Sequence, residues 1–355
     1  MTRSLPAPEV TGHGPLGADA GDGRDGDSSA DGPAPHAQRE AATMKADASG
    51  LNFLAPEHGF LEPDRADAAS PEAARAVVIP YGLEASVSYG AGTAKGPAAI
   101  LAASHQLELY DEEFGYEPCT QYGVATLDIP APDVSGPGGL KGAIAALSTH
   151  VDVVVRSGAL PLVLGGEHAL TPGAIAALAV RYEGLAILQI DAHADLRDGY
   201  QGEAYSHASA MRRALDDARV SLVSVGIRAI SQGEIGFLEA NADRIAVHWA
   251  KDMATWSIDE IVAPLAGRPI YVTLDVDGLD AAIMPATGTP EPGGLGFWQT
   301  CEIIRAAARV GEIVGGDVVE LAPIPGLHAC DFTAAKLAYK MLSYALMPRS
   351  SGPGV

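Results

Sequence analysis

The sequence predicts one α/β domain built on a mainly parallel sheet of eight strands, and three observations carry that expectation. From Ala76 onward, short β-branched apolar runs alternate with Ala- and Leu-rich stretches of helical length. Strands spaced by such helices imply βαβ crossovers, which pair the strands in parallel and cover both sheet faces. No linker and no internal repeat interrupts the chain after that point.

Taken in order, strands are expected over 76–80, 123–127, 160–164, 185–190, 221–226, 245–248, 270–274 and 313–321. Helices are expected over 97–109, 140–156, 172–182, 207–215, 232–240, 258–265, 297–309 and 331–346. Residues 1–45 are rich in Gly, Ala, Asp, Pro and Ser and have no hydrophobic period. Such a segment buries too little apolar surface to offset its ordering entropy, so a disordered acidic tail is expected. Met44 is an alternative start. Residues 46–75 read as an irregular arm, with Leu51, Phe53, Leu54 and Phe60 available to dock on the body. The α/β domain then spans 76–347, and 348–355 form a C-terminal tail.

The totals narrow the function. The chain has 355 residues, 47% hydrophobic and 19% charged, which is globular composition. A formal net charge of -22 argues against nucleic acid, because phosphate binding needs a basic face, and favours cationic small molecules or metal ions. Cys119, Cys301 and Cys330 lie far apart and form no CxxC pair, as expected of free thiols in a reducing compartment. The first residues carry no apolar signal region, and no run of membrane-spanning length occurs, so a cytoplasmic location is expected.

Four expected strands end in candidate ligands. The apolar run 185–188 leads into Gln189-Ile190-Asp191-Ala192-His193-Ala194-Asp195. Side chains alternate with period two, which puts Asp191, His193 and Asp195 on one side of the strand's C-terminal end. The run 161–164 leads into Gly165-Gly166-Glu167-His168, and 271–274 into Asp275-Val276-Asp277-Gly278-Leu279-Asp280. Gly315-Gly316-Asp317-Val318-Val319-Glu320 places Glu320 at the close of the last strand. Each has a plain alternative: a solvated acidic loop, a hydrogen-bonded core histidine, a capped turn. Together, His168, Asp191, His193, Asp195, Asp275 and Asp277 would be a costly buried charge cluster without cations. Two histidines and four carboxylates suit two Mn²⁺-like ions, whereas structural zinc would want thiolates and a closed tetrahedral shell. The glycine-rich run 88–97 lacks the Gly-Lys-Ser/Thr ending of a phosphate loop and reads as a tight loop at the site's rim.

The motifs GGEH, DAHAD and DVDGLD, in that order and followed by PATGTPEPGG, resemble those of the ureohydrolases, the arginase and agmatinase family. The resemblance covers residues 76 to about 347. It implies the arginase-like three-layer αβα fold, a binuclear manganese centre, with nickel as the alternative, and a homo-oligomer (trimer or hexamer). It also implies that His168, Asp191, Asp195 and Asp275 hold one ion and Asp191, His193, Asp275 and Asp277 the other. Glu320 matches the family's guanidinium-contacting Glu, and His207, in Tyr205-Ser206-His207-Ala208, matches its proton-shuttling His.

The residue types agree with that chemistry. A guanidinium is a poor electrophile, and a two-metal site can acidify water to make the nucleophile. Asp195 can orient that nucleophile, Glu320 can pair with the planar cation, and His207 can protonate the leaving amine. The products would be urea and an amine. Departures from the arginase pattern bear on the substrate: Asp195 is followed by Leu196 and Arg197, and Gly226-Ile227-Arg228 by Ala229, Ile230 and Ser231. No acid stands ready for an α-amino group, and Arg197 would face an ammonium unfavourably, so arginine is disfavoured and agmatine preferred. Arg197 or Arg228 could instead meet a carboxylate, as in guanidinobutyrate or guanidinopropionate, and free guanidine is a further alternative. Asp317 and Asp331 are candidates for secondary contacts. Two other classes stay open: a catalytically silent partner subunit of the same fold, and a one-metal zinc deacetylase.

Overall fold

The computed structural model describes residues 51–347; the tails expected over 1–45 and 348–355, Met44 and the first part of the arm lie outside them. The strands are β1 (Ala76–Tyr81), β2 (Val124–Thr126), β3 (Leu160–Gly165), β4 (Ala186–Ile190), β5 (Ser221–Ile227), β6 (Ile245–Trp249), β7 (Pro269–Asp275) and β8 (Glu312–Val319). They form one sheet in the order β2-β1-β3-β8-β7-β4-β5-β6, and every ladder is parallel. The helices are α1 (Gly96–Ser104), α2 (Cys119–Tyr122), α3 (Gly139–Arg156), α4 (Thr171–Ala179), α5 (Ala210–Ala214), α6 (Gln232–Ala240), α7 (Ile258–Val262), α8 (Phe297–Val310) and α9 (His328–Leu346).

Alternation along the strands divides the core in two. Val78, Leu162, Leu188, Val272 and Val318 point to a layer shared with Ile100 of α1, Ile304 of α8 and Leu337 of α9. Val77, Val163, Ile187 and Tyr271 point to the opposite layer, with Leu147 of α3, Ile175 of α4 and Met211 of α5. A sheet buried on both faces needs apolar residues at both parities, which is why these strands read as unbroken apolar runs. In α3, buried Leu140, Ala143, Ile144, Leu147, Val151 and Val154 recur at three- and four-residue spacing, which lays one apolar stripe on the sheet.

Several boundaries shift for local reasons. α1 stops at Ser104, whose hydroxyl donates to the Leu101 carbonyl and accepts from Leu61 N–H. The helix expected over 207–215 is a 3-10 turn, His207–Ser209, followed by the short α5. β8 ends at Val319 because Glu320 is left-handed, with φ 64°, and so leaves the ladder. The arm covers the sheet's edge: Leu54 N–H donates to the Thr126 carbonyl and Asp128 N–H to the Asn52 carbonyl, giving an antiparallel bridge at Phe53 and Leu127. Leu51, Phe53, Phe60 and Leu61 are buried there, which hides an otherwise open strand edge. Among the described residues no helix is long and apolar enough to cross a membrane.

Candidate metal centre

Strand order creates the site. β3, β8, β7 and β4 are neighbours in the sheet, so the segments that leave their carboxyl ends converge although they are far apart in sequence. Open α/β sheets present ligands at this edge. β3 delivers His168, β8 Glu320, β7 Asp275 and Asp277, and β4 Asp191, His193 and Asp195.

His168 Nδ1 lies 3.0 Å from Asp195 Oδ2, 3.2 Å from Asp191 Oδ2 and 3.3 Å from Asp275 Oδ2. His193 Nδ1 lies 3.0 Å from Asp277 Oδ2 and 3.7 Å from Asp191 Oδ1. Asp191 therefore stands between the two histidines, one oxygen toward each. His168, Asp191 and Asp195 form one group with donor atoms within 4.8 Å of one another, and Asp191, His193 and Asp277 form a second. The structure thus brings together all six residues that the sequence marks as ligands.

Backbone and amide donors aim the carboxylates. Asp191 accepts from His193 N–H at 2.6 Å and from Gln189 Nε2 at 2.8 Å; Asp277 accepts from Ala192 N–H at 3.0 Å; Asp275 accepts from Asp277 N–H at 2.9 Å. Gly278 lets this happen, since a Cβ there would stand 2.7 Å from the Asp191 nitrogen. Of the four described non-glycine residues at positive φ, two are Asp195, at 53°, and Glu320, at 64°. Such strain persists where packing over-determines it, and it clusters at functional sites.

The electrostatics are those of buried carboxylates packed around two imidazoles. Burial, then the neighbouring Asp191, pushes Asp195 up to about 6. Burial, Asp277 and Asp191 push Asp275 well above the carboxylate range. Burial opposes charge on His193, yet Asp191 and Asp277 raise it to about 12. His168 likewise resists charge through burial but is raised well above its usual value by Asp191, Asp195 and Asp275. None of the three oxygens, however, meets its buried Nδ1 in well-aligned hydrogen-bond geometry. An orphaned ring nitrogen facing three carboxylate oxygens, with hard oxygen donors around it, fits a bound metal ion.

A cavity of about 560 Å³ opens over the cluster, lined among others by His168, His193, Asp195, Arg197, His207 and Glu320. Glu320 accepts from His168 N–H at 2.7 Å, and burial pushes its carboxyl up to about 8. Ser86 Oγ holds His207 twice, accepting from its backbone N–H at 2.9 Å and pairing with Nδ1 at 3.2 Å. Nε2 faces the cavity, with Ser88 Oγ 3.5 Å away. Burial holds this imidazole down, at about 4.

The two arginines differ. The Arg228 guanidinium is committed to the carbonyls of Gly226, Asp277, Gly278, Leu279, Glu291 and Pro292, so it braces the rim loops and has no donor left for a substrate carboxylate. Arg197 lies over the Tyr200 ring, 4.9 Å from its centroid, with Nε 4.0 Å from the buried Glu234 carboxylate. Glu84 clamps the glycine-rich loop by accepting from Gly92 N–H, Thr93 Oγ1 and Ala94 N–H, and Gly90 N–H donates to the Gly288 carbonyl. That run is a rim loop. Neither Asp317 nor Asp331 lines the cavity; Asp317 is buried behind it, accepting from Thr171, Tyr271 and Thr273.

Sequence reasoning missed Ser86, Glu167, Gln189 and Thr273. Glu167 is fully buried and accepts from Ser86 N–H at 2.7 Å, which ties the ligand loop to the loop that holds His207. Gln189 and Thr273 carried a readable signal: a polar residue at a site-facing position inside an apolar strand.

A family model described as the arginase family matches residues 74–343. The chain belongs to the arginase family. Within it, the chain is 38% identical over 277 residues to an N(1)-aminopropylagmatine ureohydrolase from Synechocystis sp., covering 76% of this chain and 89% of that protein. It is 33% identical over 280 residues to an agmatinase from Bacillus subtilis, covering 78% and 94%. The crystal structure of the agmatine ureohydrolase of Thermoplasma volcanium superposes with a TM-score of 0.68 at 31% identity, covering 79% of this chain and 93% of that one. This arginase-family chain is thus a ureohydrolase of the agmatinase kind, with a His/Asp cluster of metal-binding type.

Proposed function

We propose that this ureohydrolase cleaves the guanidinium of a linear aminoalkylguanidine, agmatine or its N1-aminopropyl derivative, to urea and the corresponding polyamine. The observation that carries this reading is the single cavity that holds both the His/Asp cluster and Glu320. His168, Asp191, Asp195 and Asp275 would hold one Mn²⁺, and Asp191, His193, Asp275 and Asp277 the other; Ni²⁺ is the alternative. Bound there, two ions would acidify water and stabilise the charge that develops on the substrate. Asp195, turned inward by its left-handed backbone, orients the attacking water. Glu320 pairs with the planar cation and sets the guanidino carbon over the cluster. His207, braced by Ser86, passes a proton through Nε2 to the leaving amine. Arg197 borders the substrate's far end, where its pairing with Glu234 and Tyr200 leaves it poorly placed to capture a carboxylate.

The test is urea release by protein loaded with Mn²⁺ or Ni²⁺ on agmatine, N1-aminopropylagmatine, arginine, 4-guanidinobutyrate and guanidine, beside an Asp191→Ala control. Urea from the two polyamine substrates and little from arginine is the expected result. Turnover confined to 4-guanidinobutyrate would overturn the substrate assignment and put Arg197 on a carboxylate. No urea from any substrate would favour a silent partner subunit.

A further inference from the structure

A hydroxyl–carboxylate relay stands behind one histidine of the cluster and not the other. His168 Nε2 lies 2.9 Å from Thr273 Oγ1, and both side chains are buried. Thr273 Oγ1 in turn donates to Asp317 Oδ1 at 2.7 Å. The other oxygen of Asp317 accepts from Thr171 Oγ1 at 2.7 Å and from Tyr271 Oη at 2.8 Å. Asp317 is fully buried and surrounded by hydroxyl donors.

Proton counting settles the direction. A threonine hydroxyl has one proton, and here Asp317 takes it, so Thr273 Oγ1 can only accept from His168. His168 Nε2 must therefore carry a hydrogen, so in the neutral ring that binds an ion Nδ1 is the nitrogen with the free lone pair. Among the described residues no such hydroxyl backs the His193 ring, whose side chain is 28% exposed.

We infer that Thr273 and Asp317 are positioning residues: they fix the tautomer and ring plane of His168 so that Nδ1 is presented to the ion on its side of the cluster. The inference rests on His168 being a ligand, as proposed above. A partner behind a ligating histidine typically changes metal affinity 10–100-fold. Thr273→Val keeps the side chain's shape and removes the relay; Thr273→Ser restores the hydroxyl. Thr171→Val is the matched control, since it also deletes a hydroxyl from Asp317 but touches no histidine.

The experiment is calorimetric titration of the chelator-stripped full chain with Mn²⁺ alone, with a thermal melt of each metal-free variant. In Thr273→Val, affinity for one of two ions should fall about 10–100-fold, with the other unchanged. Thr273→Ser and Thr171→Val should bind both as the parent does. If Thr273→Val does not fold, Thr273→Ala takes its place. Unaltered Mn²⁺ affinity in Thr273→Val would overturn the inference, and so would an equal loss in Thr171→Val, which would make the effect structural. A His168→Ala variant that still bound two ions at parental affinity would instead remove the metal-site reading on which the relay stands. None of these readouts depends on urea release, so a wrong substrate leaves the test intact.

Discussion

Glu320 Oε1 accepts a 2.7 Å hydrogen bond from the backbone N–H of His168, and Glu320 N–H donates to the Gly166 carbonyl at 2.8 Å. The end of β8 and the loop after β3 are therefore latched twice, which holds the left-handed Glu320 backbone in place. One carboxylate oxygen is engaged with the protein, and the side chain lines the cavity. Glu320→Gln keeps an oxygen for the His168 N–H but removes the charge for a guanidinium. We expect kcat/KM on agmatine to fall by at least about 100-fold, roughly 3 kcal/mol, with the melting temperature nearly unchanged. Steady-state kinetics beside a thermal melt checks this.

Gly166 packs against Leu83, and a Cβ there would collide with the Leu83 carbonyl. Gly166→Ala must push the loop outward and carry His168 with it. The expected outcome is a folded protein that binds fewer than two Mn²⁺ per chain by metal analysis after gel filtration. Two retained ions would show that the loop can yield without moving His168.

His207 is held down to about 4, first by burial, against an unperturbed value near 6.5. Its folded value is the lower one, so below about pH 6.5 the unfolded chain binds the extra proton and stability is lost as pH falls toward 4. At pH 5 the contribution is roughly 2 kcal/mol. Chemical denaturation of chelated protein should show wild type losing that much more stability than His207→Asn between pH 7 and pH 5. Parallel losses would mean that His207 is not desolvated as described.

Lys340 is fully buried in α9, with Nζ 2.8 Å from the equally buried Asp111 and 3.6 Å from Glu113. The pair ties the segment before α2 to α9. Lys340→Met strands the Asp111 charge and should cost about 3–5 kcal/mol of unfolding free energy, because an uncompensated buried charge is left behind. Adding Asp111→Asn should recover much of it. Since Lys340 does not line the cavity, urea release per folded molecule should be unchanged. A large activity loss in a folded Lys340→Met protein would contradict that separation.

Much of this site was legible because a strand's chemistry is local. An apolar run ending in Asp191, His193 and Asp195 already implies three side chains on one side of a strand end, and the runs before His168 and Asp275 carry the same signal. Glycines between strand and ligand, such as Gly166 and Gly278, mark close backbone approach in the sequence too. The alternation of apolar runs with helical stretches was enough for a parallel sheet buried on both faces.

Adjacency, by contrast, comes from the fold. The order that sets β3, β8, β7 and β4 side by side joins ligand segments up to about 150 residues apart, and no local pattern encodes that choice. It also decided roles among like residues. Arg197 and Arg228 look equally available in the sequence, yet folding spends one on six carbonyls and leaves the other beside Glu234. Ser86 and Thr273 look like ordinary hydroxyls until packing aims them at His207 and His168. Local patterns in the chain select which chemical groups reach the sheet's edge. The fold determined which of them touch, because hydrogen bonds act over about 3 Å and chain separation says nothing at that scale.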